Sequence, residues 1–381
     1  MKFPFDPSEV VTPSYLYDLG LLQMTLSRIR DCIAGRPFKV HYAIKANNDR
    51  RLLDLIAMYG LGADCVSIGE VKYAIETGFE KNNVVFAGVA KTDNEITQAL
   101  SYGIECIHVE SMEELVNVDA IACRMKKKAR IALRINPDID AHTHHYITTG
   151  LAENKFGIDL RKADEAIRLA MSLENVELKG LHFHIGSQIL THEPFKLLCE
   201  RINTLLAHVR SVHGVTLKYV NVGGGLGIDY EHPDQHPVSD FKGYFDTFAN
   251  NLKLEDGQEV HFELGRSIVA QCGSLLTRVI YVKQGVEKKF VIVDGGMNNL
   301  IRPALYQAYH LIQNLSNPVG QTDKYDVVGP ICESADVFAE NRELPLTGRG
   351  DLLAIRSAGA YGQTMASHYN MRPEADVYYI R

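Results

Sequence analysis

The stretch FKVHYAIKANND, residues 38–49, is a strand-like run that closes on a lysine. Side chains alternate across a strand, so Phe38, Val40, Tyr42 and Ile44 share one face while Lys39, His41, Ala43 and Lys45 share the other. The apolar face must cover other elements, which turns Lys45 inward. The same parity runs through four further stretches. RIALRINP leaves Arg134 inward, GLHFHIGS leaves His182 and His184, YVNVGGG leaves Asn221, and VHFELGR leaves His261 and Glu263. Such an interior is costly unless its groups are paired with one another or bind something.

Directly after YVNV come three consecutive glycines, Gly223, Gly224 and Gly225, followed by LGIDY. Successive glycines let backbone N–H groups approach an anion such as phosphate closely, though glycine runs also make tight turns. An interior lysine, a phosphate cradle and an interior carboxylate together suggest pyridoxal phosphate. Its aldehyde needs an amine with a lowered pKa, which a partly buried Lys45 supplies. Its ring nitrogen needs an acidic partner to stay protonated, which Glu263 supplies. His184 suits a flat stack on the ring, with small Ala43 leaving room. A metal is not expected. His142, His144 and His145 in DAHTHHYITTG have neither helical i, i+4 spacing nor a completing ligand set.

The elements that must position these groups follow from pattern. Short apolar runs at 38–44, 62–67, 83–87, 104–109, 130–136, 180–185, 218–222 and 259–263 alternate with helix-like segments. RLLDLIAMYG, for example, puts Leu52, Leu53, Ile56 and Ala57 on one helical face and stops at Gly60. Eight strand–helix repeats over this length predict a (β/α)8 barrel, with an open doubly wound sheet as the alternative; barrel enzymes keep their active sites at the strands' C-terminal ends. Beyond about residue 268 the runs LLTRVIYVK, KKFVIVDGG, KYDVVGP, DLLAIRSAG and DVYYIR predict a β-rich domain, with one possible helix around PALYQAYHLIQNLS. The expected division is a barrel over 20–267 and a β domain of 1–19 plus 268–381, the N-terminal segment adding a strand to the β domain.

Composition sets the surroundings. The chain has 381 residues, 46% of them hydrophobic, and a formal net charge of −7, which gives no basic surface for nucleic acid or anionic membrane. Seven cysteines with no C-x-x-C pair read as reduced thiols. The opening MKFPFDPSEVV lacks the pattern of a signal peptide, and no run of eighteen apolar residues occurs. A cytoplasmic protein is expected.

Nine segments in order, HYAIKAN, GADCVSIGE, ENKFGI, HFHIGSQ, NVGGGLGIDY, ELGRSIVA, VDGGMNNLIRPALY, VVGPICESADVF and GAYGQTMASHYN, resemble the diaminopimelate decarboxylases, within the alanine-racemase-like fold group of pyridoxal phosphate enzymes. They run from about residue 40 to 372, nearly the whole chain. The resemblance implies decarboxylation of meso-2,6-diaminopimelate at its D centre, giving L-lysine and CO2, by a head-to-tail homodimer with shared active sites. It implies that Lys45 carries the cofactor covalently and that His184 stacks on its ring. Ser187, Gly224, Gly225 and the ELGR segment, including Gly265 and Arg266, are implied to contact the phosphate and the ring, with Glu263 on the ring nitrogen.

On the substrate side the resemblance implies Arg266, Arg302 and Tyr306 at the carboxylate ends and Tyr361 touching cofactor and substrate. Across the dimer, Cys332 is the implied proton donor and Glu333 the partner of the distal ammonium. A substrate with two carboxylates and two ammonium groups needs both arginine forks and a carboxylate. In two respects the chain departs from the family: Leu264 stands where E-P-G-R usually has proline, and the N-terminal region is brief. The alternatives are a same-fold decarboxylase of another basic amino acid or a carboxylated polyamine, a racemase of this fold, a non-catalytic pyridoxal phosphate carrier and a metal-dependent barrel hydrolase.

Overall fold

The computed structural model describes residues 9–139 and 155–381. In chain order its strands are β1 (Ser14–Asp18), β2 (Phe38–Ala43), β3 (Gly62–Cys65), β4 (Val84–Phe86), β5 (Cys106–Val109), β6 (Ala129–Asn136), β7 (Ile158–Asp159), β8 (Val176–His182), β9 (Tyr219–Asn221) and β10 (Glu259–Leu264), followed by β11 (Gly273–Gln284), β12 (Lys289–Val293), β13 (Ile312–Asn314), β14 (Thr322–Val328), β15 (Val337–Pro345), β16 (Leu352–Ile355) and β17 (Asp376–Ile380). Two compact units emerge. Leu26–Gly227 with Asp240–Gly265 form one; the described residues through Thr25, Ile228–Ser239 and Arg266–Arg381 form the other. Residues 228–239, which the sequence pattern places inside the barrel, thus cluster with the second unit.

The first unit is a closed parallel barrel. Its neighbours run β2-β3-β4-β5-β6-β8-β9-β10 and back to β2, and the two-residue β7 pairs with β6. Several of the intervening helices start at side-chain caps. Asp49 accepts from the Arg51 and Leu52 amides, Ser67 and Ser111 accept from the third residue of their helices, and Thr92 forms a reciprocal capping box with Glu95. These caps fix where the strand–helix loops before them end.

Packing outside the barrel decides what points inside. Phe262 of β10 meets Phe38 of β2 edge to face with centroids 5.1 Å apart, and meets Phe245 and Phe248 of the helix Phe241–Asn251 at 4.9 and 5.2 Å. Each such pair is worth about 0.5–1.5 kcal/mol beyond area burial. With Phe262 held outward, alternation sends His261 and Glu263 inward. Leu264 is also buried in the outward set, as parity requires.

In the second unit β11 is the central strand. It pairs antiparallel with β1, β12 and β16, while β1 also pairs in parallel with β17. The path continues through β14 to β15 on one side and β13 on the other. Leu16, Leu276, Leu352 and Ala354 form a buried cluster beneath it. The N-terminal strand therefore does belong to this sheet. The helix expected over PALYQAYHLIQNLS is only Arg302–Tyr306: Gln307 turns left-handed at φ 52° and ends it, and Ile312–Asn314 pairs with β16 instead.

Candidate active site

Lys45 lies one step past β2, on a 3-10 turn formed by Ile44–Ala46, and its side chain is exposed. The lysine is thus more exposed than the partial burial expected of it. Gly265 packs against that turn, where an added Cβ would come within 2.9 Å of the Ala46 Cβ and 3.2 Å of the Ala43 Cβ. Lys45 acts electrostatically on Asp64, Glu70 and His184.

Glu263 is the centre of the interior. Its Oε2 accepts from His182 Nε2 at 3.0 Å, its Oε1 accepts from Asn221 Nδ2 at 2.7 Å, and His108 Nδ1 lies 3.3 Å from Oε1. Burial alone would raise its carboxyl; His182 and the surrounding N–H donors outweigh that and hold it well below the usual carboxylate range. Burial also lowers His182 to about 4, so the ring is neutral near pH 7 and supports Glu263 by donating its Nε2 hydrogen rather than by charge. Asp64 has the opposite fate. Burial and the Glu263 charge push it well above the carboxylate range, with Lys45 opposing, and its Oδ1 has no hydrogen-bond partner.

The loops after β8 and β9 are stitched together. Ile189 N donates to Gly225 O at 2.9 Å and Gly227 N donates to Ile189 O at 3.0 Å, which brings half-buried Ser187 to the glycine run. At Gly224 an added Cβ would stand 2.0 Å from the Glu263 carbonyl oxygen, so only glycine lets the loop lie on β10. Gly223 and Gly225 take φ of 71° and 113°, where side chains are strained. The Gly224 amide donates to His184 Nδ1 at 3.2 Å and so orients the imidazole. Burial and the Arg134 and Lys45 charges hold His184 well below the ordinary imidazole range, hence neutral.

Sequence parity turned Arg134 inward without giving it a partner. Its Nη1 donates to Glu110 Oε1 at 2.7 Å, Glu110 Oε2 accepts from Gly157 N at 2.8 Å, and its guanidinium lies 4.8 Å from the Phe156 ring centroid. The described end of the ENKFGI motif is thereby fixed to the barrel. His142, His144 and His145 lie outside the described residues.

Four predicted residues and one unforeseen tyrosine gather in the second unit. Arg266 and Arg302 are buried, at 4% and 6% exposure. Arg266 Nη1 donates to Tyr230 Oη at 2.6 Å, and Arg302 hydrogen-bonds the same phenol. Burial would raise Tyr230; the two guanidinium charges outweigh it and bring the phenol below its ordinary value. Tyr361 lies 5.0 Å from the Arg266 guanidinium, and Tyr306 lies 5.9 Å from that of Arg302. Tyr361 adopts φ 57°, a conformation that costs an aromatic residue about 1–3 kcal/mol. His310 Nδ1 donates to the Arg356 carbonyl at 2.9 Å and its Nε2 accepts from Arg302 Nε at 3.4 Å. Burial and the Arg302 charge lower His310 to about 3.

Cys332 and Glu333 stand apart from this group. Both are exposed, on a loop after β14 that Asp336 braces by accepting from the Met297 and Ile331 amides at 2.6 and 2.7 Å. Asn370 Oδ1 accepts from the Cys332 amide at 2.9 Å, and Glu333 hydrogen-bonds Tyr369.

Residues 19–270 match the family described as pyridoxal-dependent decarboxylase, pyridoxal binding domain. The chain is 53% identical over 374 residues to a diaminopimelate decarboxylase of Bacteroides thetaiotaomicron, covering 97% of this chain and 96% of that one. It belongs to the diaminopimelate decarboxylase family. A diaminopimelate decarboxylase of Helicobacter pylori is 42% identical over 365 residues, 95% of this chain and 89% of that one. The crystal structure of the Helicobacter pylori diaminopimelate decarboxylase complexed with L-lysine superposes with a TM-score of 0.92 at 40% identity, covering 98% of this chain and 92% of that one. A lysine/ornithine decarboxylase of Vibrio vulnificus, 22% identical with a TM-score of 0.85, shares the fold.

Diaminopimelate decarboxylases use pyridoxal phosphate, and the barrel residues fit it. They combine an accessible amine at Lys45, an ionised carboxylate at Glu263, and a glycine loop that excludes any side chain. No described helix is long and apolar enough to cross a membrane.

Proposed function

We infer that the chain decarboxylates meso-2,6-diaminopimelate at its D centre and releases L-lysine and CO2. The observation that carries this is the full-length identity to diaminopimelate decarboxylases, reaching 53% over 97% of the chain. Bound pyridoxal phosphate supplies the electron sink that lets a carboxylate leave from an α-carbon.

In the barrel unit, the Lys45 amine is the covalent anchor. Glu263, kept ionised by N–H donors on both oxygens, holds a proton at the ring nitrogen of the cofactor. His184, neutral and oriented by the Gly224 amide, offers its flat face to the ring, and Ser187, Gly224, Gly225 and Gly265 shape the phosphate and ring contacts.

In the second unit, Arg266 and Arg302 bind carboxylate oxygens, positioned by the phenol they share, with Tyr306 and Tyr361 alongside. Two guanidiniums buried side by side among tyrosines suit a substrate bearing a carboxylate at each end better than one whose product is a diamine. Cys332 Sγ returns a proton to the α-carbon after CO2 leaves, and Glu333 pairs with the distal ammonium. The exposure of both supports a homodimer with shared active sites, each copy lending this loop to the other. Seven cysteines that form no disulfide support a cytoplasmic location.

The test is CO2 release from meso-diaminopimelate, lysine, ornithine and arginine, with Lys45→Ala as control. Turnover is expected on meso-diaminopimelate alone and is abolished in the variant, together with the visible absorption of bound cofactor. Faster release from lysine or ornithine sinks the substrate assignment. Mixing inactive Lys45→Ala with impaired Cys332→Ala tests the shared site: the mixture exceeds the activity of either variant if copies exchange loops and does not otherwise.

A further inference from the structure

His41 on β2, His261 on β10 and Glu105 just before β5 take no part in the chemistry above. Each brings one ligand atom into a group whose members all lie within 4.8 Å of one another, toward the N-terminal ends of the barrel strands. The hydrogen positions follow from what surrounds the rings. His41 Nδ1 lies 3.1 Å from the Asn83 carbonyl oxygen, which can only accept. Nδ1 therefore carries the hydrogen, and Nε2 of the neutral ring carries a lone pair. His261 Nε2 lies 3.3 Å from Glu259 Oε2, also an acceptor, so in that neutral ring the lone pair is on Nδ1. These two bare nitrogens face each other at 3.2 Å.

Glu105 adds a third lone pair. Its Oε2 lies 4.0 Å from His41 Nε2 and is buried without a hydrogen-bond partner. Lys39 Nζ sits 3.1 Å from Glu259 and 3.8 Å from Glu105. The Tyr219 ring stacks on His261 at 4.1 Å and 3°, fixing the imidazole plane.

A proton or a cation must sit among these lone pairs, and the geometry favours the cation. Tetrahedral zinc with Zn–N bonds of about 2.0–2.1 Å separates its nitrogen ligands by about 3.3 Å. Each imidazole already gives its other N–H to a carbonyl or a carboxylate, the outer-shell arrangement of metal-bound histidine.

We propose that the holoenzyme binds one zinc-class divalent cation through His41 Nε2, His261 Nδ1 and Glu105 Oε2, with water as the fourth ligand. The cation ties β2, β5 and β10 together across the barrel interior. β2 leads into Lys45 and β10 carries Glu263, so it steadies the two strands that present the amine and the carboxylate. The other two three-residue groupings among the described residues serve different ends. His108, His182 and Glu263 belong to the cofactor site; in the partly exposed set, Asp164 Oδ1 already accepts from His208 at 3.0 Å and from His213 at 2.8 Å.

The experiment loads chelator-treated holoenzyme with Zn2+, removes free metal and measures zinc by mass spectrometry. About one equivalent per chain should remain on the wild type and on His208→Ala, and should fall to background in His261→Gln and Glu105→Gln. No retained zinc, equal retention in His261→Gln, or loss only in His208→Ala overturns the proposal. If the buried variants fail to fold, Co2+ substitution of the wild type decides: intense visible bands of four-coordinate Co2+ support the site, and only the weak bands of six-coordinate Co2+ refute it.

Discussion

Tyr230→Phe deletes one oxygen and leaves the ring. In the wild type that oxygen accepts from Arg266 Nη1 at 2.6 Å and from Arg302, and all three side chains are buried. A hydrogen bond to a charged group contributes about 1.5–3 kcal/mol, and its loss here also leaves two guanidiniums without their common acceptor. If Tyr230 sets the arginines for the substrate carboxylates, that energy converts to a fall in kcat/KM of roughly tenfold to a hundredfold. Steady-state kinetics on meso-diaminopimelate should show it mainly as a raised KM, with kcat changed less and the cofactor absorption intact. A purely structural tyrosine gives a lower Tm with normal KM. A kcat/KM within about twofold of wild type refutes the claim that the phenol positions the arginines.

Four further outcomes follow. Gly224→Ala would force a Cβ to within 2.0 Å of the Glu263 carbonyl, so the loop must move off β10; weaker retention of cofactor on gel filtration is expected, and unchanged retention counts against the cradle. Glu263→Gln turns an acceptor toward His182 and Asn221 into a group with its own N–H donors; turnover should drop by two orders of magnitude or so while the fold persists by circular dichroism. Cys332→Ala should keep the cofactor spectrum yet slow product formation or misplace the proton, read by deuterium incorporation at the α-carbon of lysine; normal turnover would remove Cys332 as donor. His310 is held near 3 when folded against about 6.5 unfolded, so the unfolded chain binds the extra proton and stability falls as pH drops from about 6.5 toward 3. Its slope contribution is at most about 1.4 kcal/mol per pH unit, and urea unfolding of His310→Gln between pH 7 and 5 should be flatter by that amount.

Much of this was legible in the sequence because parity is local. Val260, Phe262 and Leu264 announce which face of β10 is outward, and the inward placement of His261 and Glu263 follows directly. Lys45 lies just past the end of β2, on the turn Ile44–Ala46, and its exposure does not follow from alternation. Tyr230 sat within a recognised motif yet drew no role, because its meaning depends on Arg266 and Arg302, 36 residues and more downstream. The same holds for Asp64 and His108, which only the closed barrel brings to Glu263. The histidines close together in sequence, at 142–145, drew attention; those that meet in space, His41 and His261, are 220 residues apart.

The sheet of the second unit is threaded in an order that matters during synthesis. β1 leaves the ribosome well before either of its two neighbours, β11, about 260 residues later, and β17, about 360 residues later. Until those arrive it exposes both edges, each a template for wrong pairing. The barrel, by contrast, can close once β10 has been made. Fragments beginning after residue 268 would lack β1 and leave β11 and β17 with open sides, so the β-rich region is not a detachable module that can be grafted onto another barrel without its N-terminal strand.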